Sequence, residues 1–481
     1  MWTTADIEKA TQGNGQGANW RGERVSIDTR TLEAGDIYVA LQGENVDGHN
    51  YVKEALEKGA VAAVVHHIVE GADVQKQLLV EDTEEALREM AAYHRARLSA
   101  TFVGVTGSVG KTGAKEMLRT TLSTKGKTYA SHGNFNNHIG TPLCLVNMPM
   151  DADYGVFEMG MNHAGEISQL STLVQPHLAM ITTVEAVHLE FFDSEDAIAD
   201  AKAEIFDGMT KSGSAVLNGD NVHFLRLKRA AEKHGLGNII SFGVNEMAMC
   251  RLTEYRADMH GSEVTATVSG TPLTYRIGTV GKHWALTSVA VLAAADALGC
   301  DLAKAAAALE TFHEPKGRGK ISVLPWQSEA AGLLLVDDSY NASPSSMMAA
   351  FEKMYELKQA NPNRRMVAVL GDMLELGDLG PKMHANLAQA LKKAEIDVVH
   401  TAGKLMKNLR DKLPTPMHGS HANTAAELQA PLEASLQVGD VVLVKGSQGS
   451  NMWKLVDAIE ILSKTGAPVA IDSNKGTRHV V

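Results

Sequence analysis

The chain alternates between two rhythms of apolar and polar residues. Short unbroken runs of β-branched and aliphatic residues read as buried strands. Stretches whose apolar residues return every three or four positions read as helices. In the first segment the pattern predicts a helix over 3–10, a strand over 37–41, a turn-rich DGHN, a helix over 51–58, a strand over 61–65 and a helix over 83–97. A second segment opens on TFVGVT, residues 101–106. It continues with a helix over 111–122, strands over 154–159 and 177–184, a helix over 195–209 and a strand over 214–218. EVTATV and LTYRI around SGTP predict a hairpin over 262–277, followed by Ala-rich helices over 284–298 and 302–311. A third segment carries strands over 333–338, 366–372, 396–400 and 441–447. Helices over 344–358, 381–394, 424–435 and 451–463 separate them. Such alternation builds mostly parallel sheets. The expected fold class is therefore α/β, in three domains spanning 1–98, 99–313 and 314–481, with a loose tail over 467–481. Ligands of open α/β sheets sit at the carboxyl ends of the strands.

Composition narrows the functional classes. A chain of 481 residues with 44% apolar and 21% charged residues has material for several cores. Asp and Glu number 57 against 45 Lys and Arg, for a net charge of −12. That balance disfavours nonspecific binding to nucleic acid or to an anionic membrane. Aromatic residues are only 5%, too few for a base-stacking surface. Cys144, Cys250 and Cys300 are odd in number and far apart, which argues against a disulfide framework or a cysteine-based zinc site. MWTTADIEKA lacks the apolar stretch of a signal peptide, and no uncharged apolar run approaches ~18 residues. A soluble, cytoplasmic protein without membrane insertion is expected, with a monomer as its oligomeric state.

The sharpest local signal is GVTGSVGKT, ending at Thr112. It follows a strand and opens a helix, the context a phosphate loop requires. Gly107 and Gly110 allow backbone amides to converge on an anion at the helix N-terminus, and Ser108 between them counts among the nucleotide-binding residues. Lys111 can reach the β- and γ-phosphates, and the Thr112 hydroxyl can ligate Mg²⁺. The glycines do not keep the strict spacing of the phosphate-loop motif, so a plain glycine turn is the competing reading. Glu158 ends the YGVFEM strand and suits a Mg²⁺ ligand or, equally, a half-buried edge carboxylate. His188 lies just past the next strand, in the same layer of strand ends, where an ordinary loop histidine is the alternative. Thr112, Glu158 and His188 together have the donors for one or two divalent ions. Lys202 reads, from the pattern alone, as a solvated helical lysine.

Taken together, TGSVGKT (106–112), NFNNHIGTP (134–142), EMGMNHAGEI (158–167), HLEFFDSEDAIADAKAEIF (188–206), KGRGK (316–320), DDSYNASPSSMMAA (337–350) and LGDMLELG (370–377) resemble the Mur ligases. VSIDTRTLEAGDIYVALQGENVDGHNYV (25–52) is similar to that family's amino-terminal domain. The resemblance implies a small UDP-binding α/β domain, a central P-loop mononucleotide-binding domain and a Rossmann-like carboxy-terminal domain. It implies an ATP-dependent amide ligase of peptidoglycan precursor synthesis, with UDP-N-acetylmuramoyl-tripeptide and D-alanyl-D-alanine as its small-molecule substrates. By the same resemblance Lys111 and Thr112 handle ATP and Mg²⁺, and Glu158 and His188 are metal ligands. Lys202 matches a lysine that is carbamylated in the family, which adds it to the metal set. Asn137 and His138 lie near the nucleotide, His283 and Arg318 contact ATP, Asp338 contacts the nucleotide, and Asn341 and Ser343 line the cleft. Ser26, Asp28, Thr29 and Arg30 match uridine-nucleotide contacts. The chain departs from the family at Thr287, where Asn is usual, at Ser343 in NASP, and at Gln448, where Arg is usual.

Overall fold

The computed structural model describes residues 1–465 except 16, 17, 44, 188, 259 and 327. The tail expected over 467–481 lies outside them, and so does His188. Among the described residues no helix is long and apolar enough to cross a membrane.

Four sheets organise the chain. A small antiparallel pair joins β1 (Trp2–Thr3) to β2 (Arg21–Gly22). Next, β3 (Val25–Ser26), β4 (Ile37–Val39), β5 (Ala62–Val65) and β6 (Gln77–Leu79) form a parallel sheet in sequence order. The middle sheet contains β7 (Thr101–Thr106), β8 (Thr128–Ala130), β9 (Tyr154–Glu158), β10 (Leu178–Ile181), β11 (Ser214–Asn218), β12 (Asn238–Gly243), β13 (Cys250–Asp258), β14 (Gly261–Val268) and β15 (Thr271–Ile277). Its order is β15-β14-β13-β12-β11-β10-β7-β9-β8, parallel from β8 to β13 and antiparallel beyond. The last sheet has β16 (Lys320–Trp326), β17 (Ser328–Asp338), β18 (Met366–Gly371), β19 (Val398–Ala402), β20 (His418–Ala422) and β21 (Val441–Lys445). Its order is β16-β17-β21-β18-β19-β20, with only the β16 pairing antiparallel.

The middle strands are buried on both faces, as their unbroken apolar runs require. β10 stops at Ile181, short of the expected 184. Thr182 and Thr183 leave the sheet to serve the glycine turn: the Thr182 hydroxyl donates to Val109 O at 2.6 Å, and Thr183 O accepts the Ser108 amide at 2.8 Å. The helix expected over 195–209 ends at Ala203 and tightens into a 3-10 turn over Glu204–Phe206. There the Glu204 carboxylate accepts the Gly165 amide at 2.7 Å. The edge strands β16 and β20 escaped the pattern because they are only partly buried and lack a continuous apolar run.

One apolar core runs through the first and middle segments, joining Trp2, Ile7, Leu87 and Met90 to Leu143, Val146 and Met148. Polar bonds cross the same seam. Trp2 Nε1 donates to Val146 O at 3.2 Å, and the Asn147 side chain bonds both Val25 N and Val25 O at 2.8 Å. The third segment has its own cores, one on each face of its sheet. It meets the middle segment through polar contacts such as Tyr255 Oη donating to Glu356 at 2.9 Å.

Candidate active site

β7 has β10 on one side and β9 on the other, so the sheet order reverses at its carboxyl end. That crevice is where a parallel sheet offers a ligand the most space. The glycine turn after β7 occupies it. Gly107 has φ +149° and Gly110 φ +84°. A Cβ at Gly107 would run into the Thr182 hydroxyl, so only glycine lets the turn close this tightly. The helix Lys111–Leu122 starts there with no side-chain cap, which leaves its first amides for an anion. Gly113 lies under the Trp284 ring, where a Cβ would overlap it.

Each side chain of the turn has a definite partner. Ser108 Oγ donates to Glu185 O at 3.1 Å and accepts the Glu185 amide at 2.9 Å, so this hydroxyl braces the wall. Lys111 Nζ donates to Gly107 O at 2.8 Å. Burial lowers the Lys111 pKa, Glu158 opposes that shift, and Arg318 adds to it. Glu158 is 1% exposed at the end of β9. Its Oε2 accepts the Thr112 hydroxyl at 2.9 Å, and its Oε1 accepts Asn136 Nδ2 at 2.8 Å.

Asn136 was missed by the sequence reading, which selected Asn137. The Asn137 Oδ1 instead accepts the amides of Ile139 and Gly140 at 3.3 and 2.8 Å, bracing the turn that leads into the helix Gly140–Val146. His138 is exposed and points to Glu84 of the first segment, 3.8 Å away. Adjacent asparagines are equivalent in a motif, and only the turn geometry decides which one faces the carboxylate. Lys115 was also missed. It is fully buried, and its Nζ donates to Ser131 O at 2.6 Å and Gly133 O at 3.0 Å, fixing the loop that carries Asn136.

Lys202 is not the solvated lysine of the periodic pattern. It is 2% exposed, and its ammonium has no hydrogen bond or ion pair among the described residues. Burial, and then Lys111, hold its pKa well below the ordinary lysine value.

The third segment supplies the opposite wall. The Arg318 guanidinium lies 4.0 Å from the Tyr340 ring centroid. Gly317 and Gly319 flank it at φ +78° and +90°, and their amides bond Asp337 at 3.0 and 2.8 Å. Asp338 and Lys445 stand opposite each other on β17 and β21, joined at 2.7 Å. Burial raises the Asp338 pKa, and Lys445 counteracts it. Lys445 Nζ also donates to Asn341 O at 3.0 Å. Ser343 caps the helix Pro344–Ala360 rather than presenting a free hydroxyl. His283 faces the water of the cleft, yet enclosure by its walls and the charges of Lys353 and Lys445 keep its imidazole neutral. The Thr287 hydroxyl is spent on His283 O at 2.8 Å.

Between these walls lies a cleft of about 710 Å³. Lys111, Thr112 and Glu158 line one side, and Arg318, Asp338 and Lys445 line the other. Ser26, Asp28, Thr29 and Arg30 do not line it. They sit at the carboxyl end of β3, where Arg30 pairs with Asp28 at 2.6 Å and Lys58 Nζ donates to Thr29 O at 3.0 Å. The paired hydroxyl and carboxylate of Thr112 and Glu158 are hard oxygen donors that fit Mg²⁺. The glycine cradle and uncapped helix fit a polyphosphate.

A phosphate-type turn at a sheet reversal, facing a second α/β unit across a cleft with charged side chains on both walls, defines a nucleotide-using α/β protein. The chain belongs to the Mur ligase family. Residues 23–95 match the Mur ligase family catalytic domain, 105–295 the Mur ligase middle domain, and 324–448 the Mur ligase glutamate ligase domain. The UDP-N-acetylmuramoyl-tripeptide–D-alanyl-D-alanine ligase of Rickettsia prowazekii is 35% identical over 433 residues, 90% of this chain and 94% of that protein. The crystal structure of MurF from Acinetobacter baumannii superposes with a TM-score of 0.82 at 29% identity, covering 96% of this chain and 99% of that one. MurF ligase from Thermotoga maritima, solved in complex with ADP, gives 0.76 at 26% identity, covering 92% and 99%.

Proposed function

We propose that this chain joins D-alanyl-D-alanine to UDP-N-acetylmuramoyl-tripeptide at the expense of ATP, in the cytoplasm. A carboxylate is a poor electrophile. The terminal carboxylate of the tripeptide therefore takes the γ-phosphoryl group of ATP, releasing ADP. The amine of the dipeptide then attacks the acyl carbon, loses a proton, and phosphate leaves with the C–O electron pair. The product is the UDP-linked pentapeptide.

The residues divide this work between the walls. The 107–110 turn and the first amides of the helix Lys111–Leu122 hold the triphosphate, and Lys111 swings from Gly107 O to the β- and γ-phosphates. Arg318 brings a rigid guanidinium fork from the other wall, with Tyr340 holding its plane. Asp338, Asn341 and His283 bound the nucleoside end. Thr112, Glu158 and a carbamate on Lys202, with His188, would hold Mg²⁺, which would neutralise charge on the transferring phosphoryl group. In its neutral form the Lys202 amine would add to carbon dioxide, forming an N–C bond as one C=O π pair moves to oxygen, and would lose a proton to leave the carbamate anion. The buried, partnerless amine supports this reading, because Lys111 then gains an anionic neighbour in place of a cation. Residues 1–98 receive the uridine nucleotide through Ser26, Asp28, Thr29 and Arg30. Residues 99–313 bind ATP, and 314–481 complete the ATP and dipeptide sites.

The observation that carries the proposal is the single cleft that places Thr112, Glu158 and Lys111 opposite Arg318, Asp338 and Lys445. The test is an assay with ATP, Mg²⁺, D-alanyl-D-alanine and a UDP-N-acetylmuramoyl-tripeptide ending in meso-diaminopimelate or in L-lysine. Phosphate release that requires both peptides, with a pentapeptide mass, supports the ligase. A phosphorylated product without an amide overturns it.

A further inference from the structure

The first segment holds a group of side chains that the ligase chemistry leaves unused. His49, His66 and His67 bring one ring nitrogen each within 4.8 Å of one another. They come from two places in the chain. β5 ends at Val65, so His66 and His67 are the next two residues at its carboxyl end. His49 lies in the 3-10 turn Gly48–Tyr51. Because β3, β4 and β5 run parallel, this is the same sheet edge that carries Ser26–Arg30.

The turn is firmly seated. Asp47 Oδ1 accepts the His49 amide at 2.9 Å, and Tyr38 Oη donates to Gly48 O at 3.0 Å. A Cβ at Gly48 would press to 2.6 Å from Leu41 O, so only glycine brings His49 this close. His49 is 3% exposed. Its Nδ1 lies 2.8 Å from Asp47 Oδ1 and donates to that carboxylate, which leaves the lone pair on Nε2 directed at the cluster. Carboxylates hold metal-binding histidines in this way. The Nε2 lone pair receives the His66 amide at 3.1 Å. The rings of His66 and His67 make no hydrogen bond among the described residues, only ring contacts with centroids 4.1 to 4.9 Å apart.

We propose that His49, His66 and His67 bind a divalent transition-metal ion of the zinc type, with Asp47 as the positioning residue. Imidazole donors select such ions over Mg²⁺, which prefers oxygen. Metal–nitrogen distances of about 2.0–2.1 Å draw the three rings inward. The exposed His67 ring turns out of its stack on His49, and His49 Nε2 exchanges the His66 amide for the ion. A fourth position stays open to water. The ion ties the Asp47–Tyr51 turn to the end of β5, beside the loop proposed to receive the uridine nucleotide.

The test uses the full chain, stripped by a chelator and kept in excess Mg²⁺ so that oxygen sites are filled, and titrated with Co²⁺. One equivalent binds and gives the visible absorption of a tetrahedral nitrogen-ligated ion. His66→Ala and His67→Ala each lose that band while keeping the metal-free melting temperature of the parent. Should either melt early, His67→Gln at the exposed position replaces it. Asp47→Asn weakens Co²⁺ binding by about 10- to 100-fold. Absence of the band in the parent, or its persistence in the His66→Ala and His67→Ala variants, overturns the site. Unchanged affinity in Asp47→Asn overturns the role given to Asp47.

Discussion

At Lys202 a single buried amine carries two consequences. Its pKa lies well below the ordinary lysine value because burial and Lys111 disfavour the charge. Between the folded and unfolded values the unfolded chain binds a proton that the folded chain lacks, so stability rises with pH over that range. In buffer free of carbon dioxide, the denaturation midpoint should climb as pH approaches about 10, and Lys202→Met should flatten the climb. The same variant should lose ligase turnover by about 10²-fold or more. A midpoint that follows the same course in both proteins would show that the amine is not buried uncharged. Thr287 makes the opposite kind of case. It lines the cleft, but its hydroxyl donates back to His283 O at 2.8 Å, so its proton is not offered to a ligand. Thr287→Asn should restore an amide there and lower the KM for ATP about five-fold, the worth of one hydrogen bond. An unchanged or higher KM would remove this position from the nucleotide site.

Among the elements, the glycine turn after β7 has the least freedom. Gly107→Ala would force a Cβ against the Thr182 hydroxyl at a φ of +149°. ATP affinity, measured by titration calorimetry, should fall at least about ten-fold, with about 1–3 kcal/mol lost from stability. This turn was legible in the sequence because strand, glycines, Lys-Thr and helix must all occur in order. The helices Lys111–Leu122 and Thr83–Arg97 and the strand Thr101–Thr106 were read to the residue, since periodicity and burial agree there. What stayed hidden depended on three-dimensional closure. Nothing in NFNNHIG distinguishes Asn136 from Asn137; the turn that Asn137 braces at the start of the next helix does. Lys445 ends a strand that the pattern carried two residues too far, and its bond to Asp338 follows from the β17–β21 register. The burial of Lys202 is likewise a property of the packed helix, not of its spacing.

On the scale of the whole molecule, the first two segments share a core, and the third has its own and faces them over the cleft. Phosphoryl transfer to a carboxylate needs water excluded, and Arg318 and Lys111 stand on opposite walls. The third segment should therefore close on the others as a rigid unit when ATP and the UDP-linked tripeptide are both present. Solution scattering should report a smaller radius of gyration with both ligands than with neither. An unchanged curve would mean that the walls already stand at their working distance.

The shared core also sets an order of events at birth. Trp2 leaves the ribosome well before Val146, yet its indole donates to Val146 O at 3.2 Å and shares a core with that later stretch. Until that later stretch emerges, the nascent amino-terminal unit carries an uncovered apolar flank that chaperones can hold. A fragment ending at Arg97 should give the narrow amide spectrum of an unfolded chain, and one extended to 313 should give the dispersed spectrum of a folded one.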